Sequence, residues 1–170
     1  MSAALLDAME PAQRRQTLHR CCGATAWVDG MLARHPFRDD ETLHAVADEV
    51  WSTMGREDIL EAFSHHPRIG ANLDALRERF GATADWSAGE QSSLAKVSDE
   101  VLTTLRDGNV AYEDRFGWIF IVCATGKTAD EMLQLLQARL PNAPEEELKI
   151  AAAEQAKITH LRLDKLVVDL

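Results

Sequence analysis

The stretch Asp40–Met54, DETLHAVADEVWSTM, decides the fold class of this chain. Its apolar residues recur at steps of three and four, so they form one stripe along an α-helix and face a core. These residues are Leu43, Val46, Ala47, Val50, Trp51 and Met54. Gly55 follows directly and is expected to end the helix. The stretch therefore predicts an amphipathic helix with one buried face.

Three segments nearer the C-terminus show the same periodicity. The first, Leu94–Leu105, precedes Gly108-Asn109, a pair that suits a left-handed helix end. The second starts at residues 128–131 (TADE), a capping-box pattern, and stops at Pro141. The third opens at residues 142–145 (NAPE) and runs for about twenty residues, with polar side chains interrupting its apolar face. These segments predict three further long helices.

Shorter helical patterns fill most of the remaining chain. They are Ala12–Cys22, Ala24–Ala33, Arg56–Ser64, Leu73–Phe80 and Val110–Phe116. Trp118–Ala124 (WIFIVCA) differs, because its Ile, Phe and Val content favours a short strand or a buried extended segment, and the sequence offers it no partner strand. No repeat or linker-like composition shift divides the chain. We therefore predict an all-α fold: a single compact domain over residues 1–170, with about eight to nine helices and one short extended segment.

Composition and charge exclude several classes of function. The chain has 170 residues, 46% of them hydrophobic, which is enough to bury one sizeable core. Its net charge of −10 works against a broad nucleic-acid surface and against docking on anionic lipid. The longest apolar run, Trp118–Ala124, is far shorter than the ~20 residues that a membrane-spanning helix needs. We expect a soluble protein that binds neither nucleic acid nor membrane, and whose anionic ligands need a local basic site.

The N-terminus and the cysteines indicate the cytoplasm. Residues 1–9 have neither a basic leader nor an apolar core of signal-peptide length. Cys21 and Cys22 are adjacent, which would strain a disulfide between them, and Cys123 lies inside the apolar run. We interpret all three as reduced, structural residues of a cytoplasmic protein.

Residues 64–70 (SHHPRIG) hold the first candidate for chemistry. Pro67 disfavours helical geometry at His66, so this histidine lies at a helix exit, where it can serve as acid or base near neutral pH. Gly70 lets the backbone approach a ligand closely. A histidine that only caps the helix end explains the same pattern, and the pattern alone favours that explanation.

Residues 86–91 (WSAGEQ) hold the second candidate. Ser87 and Glu90 form a capping box, which explains both residues structurally. Gly89 serves neither partner of the box and weakens the first helical turn, so it can make room for a ligand. If Glu90 turns toward a pocket instead, Ser87 and the free amides of that turn form a polar rim that accepts anions.

Two more candidates lie in the C-terminal half. Phe116-Gly117 precedes the extended segment, whose unpaired backbone groups can bind a ligand that carries amides, although core filling explains Phe120 and Val122. On the last helix, Gln155 and Arg162 are seven residues apart and share a face. Arginine on an apolar stripe must bind an anion or pair with a helix carboxylate, and both alternatives stay open.

Taken in order, these motifs resemble one enzyme family. They are residues 66–70 (HPRIG), Ser87-x-x-Glu90-Gln91, Phe116-Gly117 with Phe120, and residues 154–163 (EQAKITHLRL). Their order and spacing are similar to those of the 2-oxo-4-hydroxy-4-carboxy-5-ureidoimidazoline decarboxylases. Trp27 and residues 34–37 (RHPF) extend the likeness toward the N-terminus. Each motif is weak by itself, but together they are specific.

The resemblance implies an all-helical, homodimeric enzyme of urate breakdown that uses no cofactor and no metal. Such an enzyme converts a small anionic ureide, the ureidoimidazoline, into (S)-allantoin and carbon dioxide with stereospecific protonation. The catalytic residues of the family correspond to His66 and Glu90. Its further site residues correspond to Pro67, Ser87, Gln91 and Arg162, which we expect to bind substrate together with the backbone of Phe120, Ile121 and Val122. Residues 66–69 read HPRI where many members have HPDL, and no role is assigned to Arg68.

Two alternatives to this function are open. A metal-dependent amidohydrolase would use Glu61 and His65, four residues apart, with a third ligand such as His35 or His44. Two such ligands without a third motif make a weak metal signal. In a non-catalytic helical interaction module, the same motifs would be caps and core residues.

Overall fold

The computed structural model describes residues 1–67 and 99–166. Within these ranges the chain forms eight helices and no strand, so the all-α prediction is confirmed. The helices are α1 (Ser2–Ala8), α2 (Pro11–Cys21), α3 (Thr25–Arg34), α4 (Asp40–Ser52), α5 (Arg56–Ser64), α6 (Asp99–Phe116), α7 (Ala129–Arg139) and α8 (Pro144–Asp164). The helix predicted over 73–80, and the start of the one predicted from Leu94, lie outside the described residues.

The described residues fall into two compact units. The first contains residues 1–66, 121–123 and 150–166, and the second contains Pro67 with residues 99–120 and 124–149. The single domain over residues 1–170 stays a prediction.

The predicted helix over 40–54 is α4, and its apolar stripe lies in the core of the first unit. Leu43, Val46 and Val50 are buried there, each contributing about 1.5–3 kcal/mol by leaving water. The indole Nε1–H of Trp51 donates to the Ala152 carbonyl at 3.1 Å and so ties α4 to α8. Gly55 does not end α4, which stops at Ser52; it is the N-cap of α5 instead.

Helix α1 was not predicted, because its seven residues are too few to show a clear period. A buried arginine satisfies its C-terminal carbonyls. Arg14 donates from Nε to the Leu6 carbonyl at 2.7 Å and from Nη2 to the Met9 carbonyl at 2.6 Å. Tertiary contacts therefore stabilise this short helix, with Arg14 of α2 at its end and the Asp40 carboxylate, at the start of α4, accepting from the Ala3 N–H at 2.8 Å.

A buried ion pair organises the second unit. The guanidinium of Arg139 donates to both carboxylate oxygens of Glu147 at 2.9–3.0 Å, and the Glu147 side chain is fully buried. The Tyr112 hydroxyl donates to the same carboxylate at 2.6 Å and accepts from the Trp118 indole at 3.0 Å. Burial and the bond to Glu147 raise the pKa of Tyr112 well above its usual range. A buried pair is stable only when its remaining polar atoms are satisfied, and this network satisfies them.

The predicted helix end at Gly108-Asn109 is wrong, since α6 continues through both residues to Phe116. A Cβ atom on Gly108 would lie 2.5 Å from Leu136 Cδ2 of α7, so glycine lets the two helices pack closely. The left-handed residue is Gly117, with φ of 85°, whose N–H donates to the Glu113 carbonyl at 2.8 Å. Val110–Phe116 is therefore the last part of α6 and not a separate helix.

Trp118–Ala124 forms neither helix nor strand, and most of it is buried. Ile121 and Val122, in the first unit, are 2% and 4% exposed, which excludes a solvated loop. The prediction of one short, buried, non-helical segment is confirmed. None of the helices within the described residues combines the length and apolar character needed to cross a membrane.

We expect Gly108→Ala to lower the free energy of unfolding by ~1–3 kcal/mol, because the added methyl overpacks the contact with Leu136. Alanine is otherwise the better helix former by about 1 kcal/mol. In a Leu136→Ala background the methyl has room, so the same substitution should stabilise the protein. Urea unfolding of the four proteins in this cycle measures the change of sign, and a stabilising Gly108→Ala in the unmodified chain would contradict it.

Candidate active site

His66 lies at the exit of α5, as predicted. The helix ends at Ser64, and the His66 N–H donates to the Phe63 carbonyl at 3.1 Å. The imidazole is half-buried, and its Nε2 contacts Oε1 of Gln155 at 2.5 Å. Within the described residues the ring bonds no carbonyl of α5, so helix capping does not explain the side chain.

Gln155 and Thr159 support His66 from α8, one turn apart. Gln155 is completely buried and Thr159 is 5% exposed. The Gln155 amide nitrogen donates to Thr159 Oγ1 at 3.0 Å, and the threonine hydroxyl donates to the Cys21 carbonyl at 3.4 Å. Because buried polar groups need partners, this chain of bonds holds the Gln155 side chain in one orientation.

Arg162 lies beside the same histidine, and it is half-buried. Its Nη1 donates to the carbonyls of Arg20 and Cys21 at 3.2 and 3.4 Å, at the C-terminal end of α2. Its Nη2 lies 3.5 Å from Nδ1 of His66. No carboxylate among residues 1–67 and 99–166 pairs with it, so the predicted alternative of a helix salt bridge is not seen there. A cation at a helix C-terminus is favourable, and one nitrogen remains directed at the histidine.

The electrostatics of this corner favour the neutral form of His66. Burial of the imidazole lowers its pKa below the ordinary 6.5, and the nearby Arg162 charge lowers it further, while the hydrogen bond to Gln155 raises it. Burial also raises the pKa of the Cys21 and Cys22 thiols, to about 12 and about 11. All three cysteines are buried and none forms a disulfide, as predicted for reduced structural residues. With the Cys21 and Cys22 thiols protonated, His66 is the group beside them that can accept a proton near neutral pH.

The segment Ile121–Cys123 belongs to the same unit as His66 and is fastened by α8. The Cys123 N–H donates to the Glu154 carboxylate at 3.2 Å. Lys157 pairs with the other oxygen of that carboxylate at 2.6 Å. The Cys123 amide is therefore engaged, and Ile121 and Val122 are the buried residues that precede it.

Of the remaining predicted site residues, the structure describes Pro67 and Phe120. Pro67 is exposed and follows His66 in the chain. The Phe120 ring packs in the core of the second unit, 5.2 Å from the Tyr112 ring and 4.6 Å from the Arg139 guanidinium carbon, so core filling explains the ring. Ser87, Glu90 and Gln91, with Arg68, lie outside the described residues, and their roles stay predictions.

The residues of the metal-hydrolase alternative are dispersed. The Glu61 carboxylate accepts from the Thr25 amide at 2.7 Å and from the Thr25 hydroxyl at 3.1 Å. His65 packs edge-on against His19. Across the described part of the chain, no group of three or more His, Cys, Asp or Glu side chains is arranged to hold a metal ion. The alternative therefore has no assembled site there.

A second histidine cluster was missed from the sequence. His44 and His160 are stacked, with their Nδ1 atoms hydrogen-bonded to each other. The Nε2 of His44 contacts Asp164 at 2.8 Å, and that of His160 contacts Asp48 at 2.6 Å. The signal was present, because a histidine precedes an aspartate by four residues on both α4 and α8. This cluster cross-links the two helices away from the Gln155 contact.

For Gln155 the sequence predicted a place beside Arg162 on one helical face but no role in the site. Its spacing of seven from Arg162 places both on one helical face, which was the available signal. The spacing does not identify the hydrogen-bond partner of Gln155, because that partner, His66, is 89 residues away in the chain.

The chain matches the family model described as OHCU decarboxylase over residues 7–164, where OHCU is 2-oxo-4-hydroxy-4-carboxy-5-ureidoimidazoline. It is 40% identical over 156 residues to the uric acid degradation bifunctional protein TTL of Arabidopsis thaliana, covering 88% of this chain and 46% of that protein. The chain thus spans less than half the length of that relative. It is 35% identical over 157 residues to the 2-oxo-4-hydroxy-4-carboxy-5-ureidoimidazoline decarboxylase of Xenopus laevis, covering 89% of this chain and 84% of that protein.

A solved structure is similar as well. The crystal structure of OHCU decarboxylase in the presence of (S)-allantoin superimposes with a TM-score of 0.70 at 37% identity, covering 86% of this chain and 94% of that one. The family model spans nearly all of the described helices, and it includes both His66 and Arg162. The chain therefore belongs to the OHCU decarboxylase family.

Proposed function

We propose that this protein decarboxylates 2-oxo-4-hydroxy-4-carboxy-5-ureidoimidazoline to (S)-allantoin and carbon dioxide, in the breakdown of urate. The observation that carries the proposal is a neutral, half-buried His66 whose Nδ1 lies beside the guanidinium of Arg162. A proton acceptor next to a fixed cation suits an anionic substrate that must lose a hydroxyl proton. Membership of the OHCU decarboxylase family supports the same reaction.

The chemistry of the substrate sets what the protein must do. When the bond to the carboxylate breaks, its electron pair moves toward the adjacent imine, which serves as the electron acceptor. We therefore propose that the reaction needs no cofactor. The protein has to hold the carboxylate out of the ring plane, take the hydroxyl proton as the carbonyl forms, and let one face of the neighbouring carbon take up a proton.

The described residues suit these tasks. Because its pKa is lowered below 6.5, the neutral form of His66 is favoured near neutral pH and can accept the hydroxyl proton. The planar fork of Arg162 matches a carboxylate or a ureido oxygen. The chain carries a net charge of −10, so long-range attraction cannot concentrate an anion and the local cation must bind it. The proposal also assigns proton transfer to Glu90. It assigns substrate contacts to Pro67, Ser87, Gln91 and the backbone of Phe120, Ile121 and Val122.

We also propose that the protein acts as a homodimer in the cytoplasm. Three buried cysteines that form no disulfide support a reducing compartment. The dimer rests on the family resemblance alone, and light scattering of the purified chain tests it directly.

Supplied with freshly made ureidoimidazoline, the protein should release carbon dioxide and form optically active allantoin. We expect His66→Asn to keep the fold and to lower turnover by ~10²-fold or more, because the positioned proton acceptor is lost. Polarimetry follows the product, and far-UV circular dichroism checks the fold. Racemic allantoin at the uncatalysed rate would refute the decarboxylase, whereas near-normal turnover by His66→Asn would refute only the role of the histidine.

The titration of His66 should be displaced toward acid. Its ring resonances should move with a midpoint below pH 6.5 in NMR spectra, and Arg162→Gln should raise that midpoint because a neighbouring cation is removed. The same shift makes the stability of the fold depend on pH. Since the unfolded chain holds this proton at a higher pH than the folded one, His66 lowers stability as the pH falls from about 6.5 through the folded value. An unchanged midpoint in Arg162→Gln would contradict the electrostatic coupling.

Charge and shape at Arg162 can be separated by substitution. Arg162→Lys keeps the charge but loses the planar fork, so we expect it to fold and to show a lower kcat/KM, and we expect Arg162→Met to be worse. Neither variant breaks an ion pair with a described carboxylate, so melting temperatures should fall little. Arg15→Met, at an exposed arginine paired with Asp29, is the matched control. A large drop in Tm with unchanged kcat/KM would make Arg162 a structural residue.

A further inference from the structure

We propose that Gln155 is a positioning residue that holds His66 in its Nε2–H form, so that Nδ1 is the nitrogen that receives the substrate proton. That the incoming proton comes from the substrate rests on the proposed decarboxylase function. Which ring nitrogen is protonated in the resting histidine is independent of that function, because the hydrogen bonds of the free protein determine it.

The direction of the hydrogen-bond chain follows from its fixed end. The Cys21 carbonyl can only accept, so the Thr159 hydroxyl at 3.4 Å donates to it. The Thr159 oxygen is then free to accept, and the group of Gln155 that faces it at 3.0 Å is the amide nitrogen. The amide oxygen therefore faces His66 at 2.5 Å, and since that oxygen can only accept, Nε2 must carry a proton.

Arg162 imposes the same tautomer from the other side of the ring. A guanidinium nitrogen can only donate hydrogen bonds, and Nη2 lies 3.5 Å from Nδ1. In the free protein a proton on Nδ1 would oppose the Arg162 donor, whereas the Nδ1 lone pair faces the cation favourably. When the anionic substrate binds the guanidinium, Nδ1 becomes available for the substrate proton. Two groups from α8, Gln155 and Arg162, thus select the same neutral form independently.

This arrangement prepares His66 for its step. Loss of carbon dioxide leaves the electron pair of the broken carbon–carbon bond in a new carbon–carbon double bond, and the former imine nitrogen takes a proton from solvent. The O–H bond then breaks: its proton goes to Nδ1 and its electron pair forms the new C=O bond. The pair of the carbon–carbon double bond takes up a proton from solvent at the neighbouring carbon. The resulting imidazolium donates from Nε2 to the Gln155 oxygen, a bond that favours the charged ring and opposes the effect of burial.

The tautomer is measurable in the unmodified protein by long-range ¹⁵N–¹H NMR at a pH where His66 is neutral. His66→Asn identifies the signals by their loss. We expect the ring pattern of an Nε2–H imidazole, and the pattern of an Nδ1–H imidazole would overturn the proposal. This measurement needs no substrate, so it stands even if the decarboxylase assay fails.

Two substitutions of similar length test the role of Gln155. In Gln155→Glu, a carboxylate faces Nε2–H, so the NMR midpoint of His66 and the acid limb of kcat/KM should both move up by about one pH unit or more. In Gln155→Met, both hydrogen bonds are lost, so kcat should fall ~10-fold or more with little change in KM, because Gln155 does not touch substrate. An unmoved midpoint in Gln155→Glu would overturn the proposal.

Thr159 separates positioning from mere packing. Thr159→Val removes the hydroxyl that orients the amide, so His66 should become a mixture of tautomers and kcat should fall, whereas Thr159→Ser should restore both. A purely structural role for Gln155 predicts lower melting temperatures in these variants with the tautomer unchanged, and that result would overturn the assignment. If the wild type is active and carries its proton on Nδ1, only the Gln155 inference fails.

Discussion

Helix α8 buries polar side chains, and the need to satisfy them governs both units of the structure. Glu147 and Gln155 are fully buried, and Thr159 is nearly so. An unpaired polar group in the interior costs about 1–3 kcal/mol, and an unpaired charge costs more. Glu147 is satisfied by Arg139 and Tyr112 within the second unit, and Gln155 by His66 and Thr159 within the first. A helix that looked weakly amphipathic therefore contributes buried polar contacts to each unit.

The candidate active site follows from this constraint within the first unit. The same helix that satisfies Gln155 presents Arg162 two turns later, so the histidine is held between an acceptor on one side and a cation on the other. The end of α2 completes the arrangement, because the Arg20 and Cys21 carbonyls anchor the guanidinium. A protein with a net charge of −10 thereby keeps one cation directed at a neutral base, which suits binding and decarboxylation of an anion.

Local signals in the sequence were good predictors of most helices. The apolar stripe of α4, the Thr128 cap of α7 and the Pro144 start of α8 each depend on neighbours within a few residues, and each was confirmed. The errors arose where a distant residue decided the outcome. Gly108-Asn109 has the local signature of a helix end, but Gly108 lies inside α6, where it makes room for the Leu136 side chain of α7. Helix α1 was missed because it is short and its ends are satisfied by Arg14 of α2 and Asp40 of α4.

For the candidate active site, too, some features follow from local sequence and others depend on distant residues. Sequence alone determined the all-helical class, the buried segment near Trp118, the helix exit at His66 and the family that the ordered motifs resemble, because periodicity, capping and motif spacing are all written in nearby residues. The tertiary structure was needed to show that Arg162 donates to the carbonyls at the end of α2. It was also needed to show that the His66 ring bonds the Gln155 side chain and not a carbonyl of its own helix. The physical reason is that buried hydrogen bonds are satisfied across the fold: the partners of these bonds are 89, 138 and 141 residues apart, and no local pattern encodes such pairings.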